Sequence, residues 1–160
     1  MTLNVSIFGV GQVGGPLVDL INQDNRLKLV GVSRSDNQTV LSNEKPDIVI
    51  EAIGPADYAK LLLLQAMRNG HDVISCNKEA IRLYSDELFK CAEENNVTIY
   101  LTSIVAGFKN NEFPTPLTHK NFNEYLNLNP FGFRGAGGKE TAQEMYNDIL
   151  RSIDNPVDNI

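Results

Sequence analysis

Three glycines, Gly9, Gly11 and Gly14, constrain this chain more than any other feature. They stand as Gly-x-Gly-x-x-Gly directly after an apolar run, Leu3 to Phe8, that reads as a strand. Val13, Leu17, Leu20 and Ile21 then fall at i, i+4, i+7 and i+8, one face of a helix. Pro16 is tolerated there because the first helical turn has spare N–H groups. Strand, glycine turn and helix in that order open a βαβ unit. In this setting Gly9 allows the tight turn. Gly11, lacking Cβ, lets a pyrophosphate approach the backbone, and Gly14 lets helix and strand pack closely. Gln12 and Val13 complete the loop, and the helix start offers N–H groups and a positive dipole end to phosphates. The plainer alternative is a glycine turn that binds nothing.

The rest of the chain continues the alternation. Leu27 to Val32 and Ile48 to Ile53 read as strands, and their near-continuous apolar character suits parallel strands buried on both faces. Ala56 to Arg68 reads as a helix ended by Gly70. Its Leu61–Leu64 run is wider than one buried stripe: either a second packing surface such as a dimer contact, or one or two exposed leucines. Asp72 to Ser75 is a strand. Ser85 is the expected N-cap of the next helix, with Asp86 and Glu87 near its positive end and Leu88, Cys91 and Ala92 on its buried face. Val97 to Leu101 is the last strand. The expected fold class is α/β, Rossmann-like and doubly wound, with a mainly parallel sheet and helices on both faces.

From Gly107 to Gly132 the pattern breaks down. Asn110, Asn111, Asn121, Asn123, Asn127 and Asn129 share this stretch with Pro114, Pro116 and Pro130. At most a short strand or turn is expected, near Tyr125 to Leu128. Order returns at Gly135-Ala136-Gly137-Gly138. Thr141 and Glu144 read as a Thr-x-x-Glu capping box. Ala142, Met145, Tyr146, Ile149, Leu150 and Ile153 give an amphipathic helix, and the tail from Asn155 is expected to fray. Three parts follow: 1–106 a nucleotide-binding unit, 107–132 an irregular segment, and 133–160 a helix packing back on the first.

Composition excludes several classes. Fourteen basic against twenty acidic side chains give a net charge of -6, which disfavours a nucleic-acid partner. No stretch approaches the ~20 apolar residues of a membrane span, and the start lacks the pattern of a signal peptide. Cys76 and Cys91 form no CxxC pair and read as reduced thiols of a cytoplasmic protein. His71 and His119 are isolated, so no metal site is expected.

Candidate site residues cluster at strand ends. At the end of the second strand stands Ser33-Arg34-Ser35-Asp36. Arg34 offers a guanidinium for a ribose 2′-phosphate with two serine hydroxyls beside it, which favours NADP over NAD. Asp36 is close enough to serve the 2′-OH instead. Ile53 and Gly54 leave space for a ligand at the third strand end. Asn77 and Lys78 end the fourth strand. Either could orient a nicotinamide, and Lys78 could place positive charge near a developing alkoxide, as the one catalytic candidate; the alternative is an exposed strand-end lysine. Cys76 has no activating partner in sequence and is not expected to be a nucleophile. Gly135, Ala136 and Gly137 lead into a helix, as a second anion site or as a hinge.

Taken in order, Ile7 to Gly14, Asp47 to Glu51, Val73 to Lys78, Ser103 to Gly107 and Gly135 to Ala142 resemble the homoserine dehydrogenases. The resemblance covers about residues 3–107 and 131–153. It implies hydride transfer between NAD(P) and homoserine or aspartate semialdehyde. It carries Gly9, Gly11, Gln12, Val13 and Gly14 onto the cofactor loop, Arg34 onto the adenosine ribose, and Asn77 and Lys78 onto the nicotinamide side.

The departures are informative. In that family a substrate and dimerisation domain separates the Val-Ala/Gly-Gly segment from the closing Gly-Ala-Gly segment. In 160 residues it does not fit. The family's Asp-x-x-x-Lys catalytic pair has no match in the asparagine-rich interval, and Thr102 stands where a glutamate is expected. Three classes stay open: a compact dehydrogenase, completed as a homodimer or by a partner subunit; a nucleotide-binding module that senses or regulates; and another small oxidoreductase on the same fold.

Overall fold

The computed structural model describes residues 2–33, 45–108, 115–128, 133 and 137–154. Five strands make one parallel sheet: β1 (Leu3–Phe8), β2 (Leu27–Ser33), β3 (Ile48–Glu51), β4 (Asp72–Ser75) and β5 (Ile99–Tyr100), in the order β2-β1-β3-β4-β5. Among the described residues the helices are α1 (Gly14–Asn22), α2 (Ala56–Arg68), α3 (Lys78–Asn95), α4 (Phe122–Leu128) and α5 (Gly138–Asp154), with a 3-10 turn at Thr102–Val105.

Strand alternation divides the core. Val5, Ile7, Ile48, Ile50 and Ile74 face Leu17 and Ile21 of α1 and Met145 and Ile149 of α5. Phe8, Val49, Val73 and Ile99 face the opposite layer, with Leu63 and Met67 of α2 and Leu88 and Ala92 of α3. Both faces are covered, which is why the strands read as continuous apolar runs. Each fully buried isoleucine or leucine contributes about 2 kcal/mol relative to exposure.

The Leu61–Leu64 run resolves cleanly. Leu61 is 61% exposed, while Leu62, Leu63 and Leu64 are buried within the fold. Three of the four leucines are therefore core, because the helix is packed on two sides, against the sheet and against α3. Gly70 ends α2 at φ +87°, as its sequence position requires.

Several boundaries differ from the sequence reading. β3 stops at Glu51, because Ala52 to Pro55 turn away to reach α2. β5 keeps only Ile99 and Tyr100. Val97 is used by the end of α3, where Asn96 is left-handed (φ 55°) and the Val97 N–H donates to the Ala92 carbonyl. Leu101 instead donates to the Leu117 carbonyl. Helix α3 starts at Lys78, not Ser85, because the Asn77 side chain caps it by accepting from the Ala80 N–H at 2.9 Å. A break at Tyr84 (φ −130°, ψ 16°) lies beside the expected start. Thr141 is inside α5 rather than its cap: its N–H donates to the Gly137 carbonyl, and Glu144 pairs with Arg151 at 3.2 Å.

The segment expected to be irregular has a definite task where it is described. Thr118 bridges Tyr100 antiparallel and so covers the free edge of β5. Tyr125 to Leu128 form the end of helix α4, not a strand or turn. Phe122 and Tyr125 bury their rings, and Tyr125 stacks on Phe133 at 6.2 Å. Aromatic burial, invisible to short-range periodicity, is what selects the helix.

Candidate nucleotide-binding site

The glycine turn is built by close approach. Gly9 lies at φ +99°, and a Cβ there would sit 2.4 Å from the Ala52 carbonyl oxygen. Its N–H donates to the Ser33 carbonyl at 2.6 Å, tying the turn to β2. A Cβ on Gly14 would meet the Gly9 carbonyl oxygen at 1.8 Å, so only glycine brings α1 this close to β1. At Gly11 a Cβ would meet nothing within 4 Å. This glycine is therefore not required by packing against the described protein, and open space lies in front of its backbone.

That space is at the sheet's switch point. β2 lies on one side of β1 and β3 on the other, so the chain departs from the carboxyl ends in opposite directions. Between the turns Gly9–Gly11 and Ala52–Pro55 lies an open cleft of about 410 Å³. Gly9, Gly11, Ile53 and Gly54 all line it, and at Gly54 a Cβ would again meet nothing within 4 Å. At Gly11 and Gly54 the backbone faces this cleft with no side chain in front of it, beside the start of α1.

The ends of β3 and β4 carry a buried polar ring. Glu51 is wholly buried; its Oε1 accepts from the Ser75 hydroxyl at 2.6 Å and its Oε2 from the Ile53 N–H at 2.9 Å. Burial pushes this carboxyl up to about 7, against the lowering effect of those hydrogen bonds. Asn77 donates from Nδ2 to the Ile53 and Gly54 carbonyls at 3.1 and 3.2 Å. With its oxygen on Ala80, the Asn77 amide is fully engaged by protein. It shapes the cleft wall instead of offering free donors to it.

Lys78 is the first residue of α3, half-buried, and acts on the neighbouring Cys76 thiol. Burial first, then the Glu51 charge, push that thiol up to about 12. Such a thiol is a poor nucleophile at neutral pH.

The C-terminal segment reaches the glycine loop. A Cβ on Gly138 would lie 2.5 Å from the Gln12 carbonyl oxygen, so the start of α5 is in direct contact with that loop. Gly137 is exposed just before it. Further along, Tyr146 donates its hydroxyl to Asp24 Oδ2 at 2.6 Å, and Asp24 also accepts from Arg26, which holds its carboxyl well below the usual range. Asp148 is buried and accepts from the Thr102 hydroxyl and from Arg151, each at 2.8 Å. Thr102 Oγ1 in turn accepts from the Leu117 N–H at 2.9 Å. Burial raises the Asp148 carboxyl to about 6, opposed by Arg151.

The structure thus brings Gly9, Gly11, Ile53 and Gly54 around one cleft, with Asn77 behind its wall and Gln12 against α5. Val13 precedes the first residue of α1, and Ser33 contributes its backbone carbonyl. Arg34, Ser35, Asp36, Gly135 and Ala136 lie outside the described residues. Sequence reasoning overlooked Glu51 as a functional element and Asp148 altogether. Glu51 had a usable signal, a charge closing an otherwise apolar strand; Asp148 looks like any polar residue of an amphipathic helix.

Comparisons with known proteins converge. A family model described as the NAD-binding domain of homoserine dehydrogenase matches residues 9–102. The homoserine dehydrogenase of Mycobacterium leprae is 28% identical over 130 residues, covering 66% of this chain and 30% of that protein. That of Corynebacterium glutamicum is 31% identical over 102 residues, covering 60% and 23%. The homoserine dehydrogenase structure from Thiobacillus denitrificans aligns at TM-score 0.58 and 24% identity, covering 67% of this chain and 31% of that one. A hyperthermophilic archaeal homoserine dehydrogenase in complex with NADPH aligns at TM-score 0.56 and 23% identity, covering 67% and 46%. The chain spans about 30% of the length of the first curated relatives it matches. With residues 9–102 matched on a parallel, doubly wound sheet, the chain belongs to the family of homoserine dehydrogenase NAD-binding domains.

Proposed function

We propose that this chain binds a nicotinamide dinucleotide in the cleft between Gly9–Gly11 and Ala52–Pro55, and that it serves hydride transfer of the homoserine dehydrogenase type. The observation that carries this reading is Gly11: a glycine with open space in front of it, between Gly9 and Gly14, which packing forces to be glycine. In this reading Gly11, Gln12, Val13 and the start of α1 hold the pyrophosphate. Ser33, Arg34 and Ser35 meet the adenosine ribose, and the Arg34 guanidinium favours NADP over NAD. The NADPH bound to the archaeal relative supports a nicotinamide cofactor of this kind. Gly135, Ala136 and Gly137 are assigned to the cofactor's phosphates in this reading, a hinge being their other reading.

When bound, the nicotinamide ring supplies the carbon that gives or accepts hydride. Ile53 and Gly54, held by Asn77, place the ring's wall. The Lys78 ammonium stabilises negative charge developing on the substrate oxygen. Homoserine or aspartate semialdehyde is the substrate on this reading. A homodimer or a partner subunit supplies further substrate contacts.

A second reading, a catalytically silent nucleotide-binding module, is favoured by the segment 115–128. Its aromatic side chains Phe122 and Tyr125 are spent on the core. One experiment separates the two: absorbance at the reduced-nicotinamide band with homoserine and NADP, with Lys78→Ala as control. Turnover lost in Lys78→Ala supports the enzyme. Saturable cofactor binding without turnover assigns the chain to the module.

A further inference from the structure

The proposed chemistry leaves a buried group unused: the carboxyl of Glu51. It lies two residues before Ile53, which lines the cleft. Its two oxygens are both engaged, one by the Ser75 hydroxyl at 2.6 Å and one by the Ile53 N–H at 2.9 Å. Ser75 Oγ also accepts from the Asn77 N–H at 3.1 Å. Asn77 then returns to the same wall through Nδ2, on the carbonyls of Ile53 and Gly54. The bonds close into a ring: Glu51, Ile53, Asn77, Ser75 and back to Glu51.

A ring of this kind fixes the two peptide units on either side of the Ile53 Cα. The Ile53 N–H is held from inside by the carboxyl and the Ile53 carbonyl by the amide. Little freedom is left to the backbone that faces the cleft. A salt bridge does not explain the carboxyl: the groups that hold it are the Ser75 hydroxyl, the Ile53 N–H and the Asn77 amide, all neutral, and burial opposes its charge. The titratable groups beside it are the Cys76 thiol, pushed up to about 12, and Lys78, which acts on that thiol. An apolar residue would fill the same space without the burial penalty but would leave the Ile53 N–H without its acceptor.

We propose that Glu51 is a positioning residue for the nucleotide: through the ring with Ser75 and Asn77 it sets the Ile53–Gly54 backbone that walls the cleft. This rests on the reading that the cleft binds a nicotinamide dinucleotide.

The test is a fluorescence titration of the purified chain with NADPH, with circular dichroism to confirm folding. Glu51→Ala leaves the Ile53 N–H without its buried acceptor and is expected to weaken binding about tenfold. Glu51→Gln can still accept from Ile53 and donate to Ser75 Oγ. It is expected to restore affinity to within about threefold of wild type. A folded Glu51→Ala that binds within about twofold of wild type overturns the proposal, as does a folded Glu51→Gln no better than Glu51→Ala. If Glu51→Ala does not fold, Ser75→Ala carries the test. It removes the hydroxyl between Glu51 and Asn77, with about fivefold weakening expected and a change under about twofold contradicting the proposal. A wild-type chain that fails to bind NADPH, NADP or NAD overturns the cleft reading itself, and the role of Glu51 with it.

Discussion

The glycine turn and the Thr102–Asp148 junction hold the molecule together in opposite ways. At the turn, contacts are between backbone atoms, and side chains are excluded: Gly14 stands where a Cβ would be 1.8 Å from a carbonyl oxygen. At the junction the contacts are between side chains: a buried carboxylate, a threonine hydroxyl and an arginine, joining α5 to the 3-10 turn and to Leu117. The first arrangement leaves an open cleft of about 410 Å³ beside bare backbone. The second is buried from solvent and docks the C-terminal helix. Open space is therefore found where side chains are missing, and attachment where they are paired.

The sharpest way to break this contrast is to add one methyl group to the turn. Gly14→Ala must push α1 away from β1, and a loss on the order of 4 kcal/mol or more is expected in chemical denaturation. A loss below about 1 kcal/mol would mean the close approach is relaxed at little expense. The next largest effect falls on the junction. Asp148→Ala removes the buried acceptor of the Thr102 hydroxyl and one of the two carboxyl partners of Arg151, which keeps Glu144, and about 2 kcal/mol of stability should go. Nucleotide affinity of the protein that stays folded is expected to hold, because the glycine turn does not pass through Asp148. Parallel loss of affinity would show that the two regions are one unit.

A pH titration of stability sets the two buried carboxyls side by side. Folding raises Glu51 from 4.5 to about 7 and Asp148 from 3.8 to about 6. Between those limits the folded state holds protons that the unfolded chain has released. Their contribution is fully present below the unfolded values and is lost as pH rises through about 6 and then about 7. Each step is on the order of 3 kcal/mol. Urea midpoints measured across this range should fall with pH, and Glu51→Gln and Asp148→Asn should each remove one step. A midpoint that rises over the same range would contradict the burial described here.

The smallest effect belongs to the leucine run. Leu61→Glu should shift stability by less than about 0.5 kcal/mol, whereas Leu62→Glu, one residue on, should unfold the chain. Sedimentation of Leu61→Glu then reports whether the one exposed leucine of the run joins two copies.

The contrast also explains what could be read from the sequence. The glycine turn is contiguous: its strand, its three glycines and its helix face lie within Leu3 to Ile21, so local pattern suffices. The parallel alternation and the placement of Ile53, Gly54 and Asn77 at strand ends follow from the same local periods. Thr102 and Asp148 are 46 positions apart, and nothing in either neighbourhood announces the other. The same holds for Phe122, Tyr125 and Phe133, whose mutual packing makes a helix of a segment that local propensity left open. Cap positions failed for a related reason. Ser85 and Thr141 are good caps by type, but Asn77 caps α3 earlier and α5 already runs from Gly138.

The central claim is that the space before Gly11 receives a dinucleotide, and a titration with NADPH tests it most directly. Wild type and Gly11→Val are compared by nucleotide fluorescence, with circular dichroism and thermal melting on both. Saturable one-to-one binding by wild type is expected, weakened at least about a hundredfold in Gly11→Val, whose fold and melting temperature stay close to wild type. Equal affinity in the two folded proteins would contradict the account.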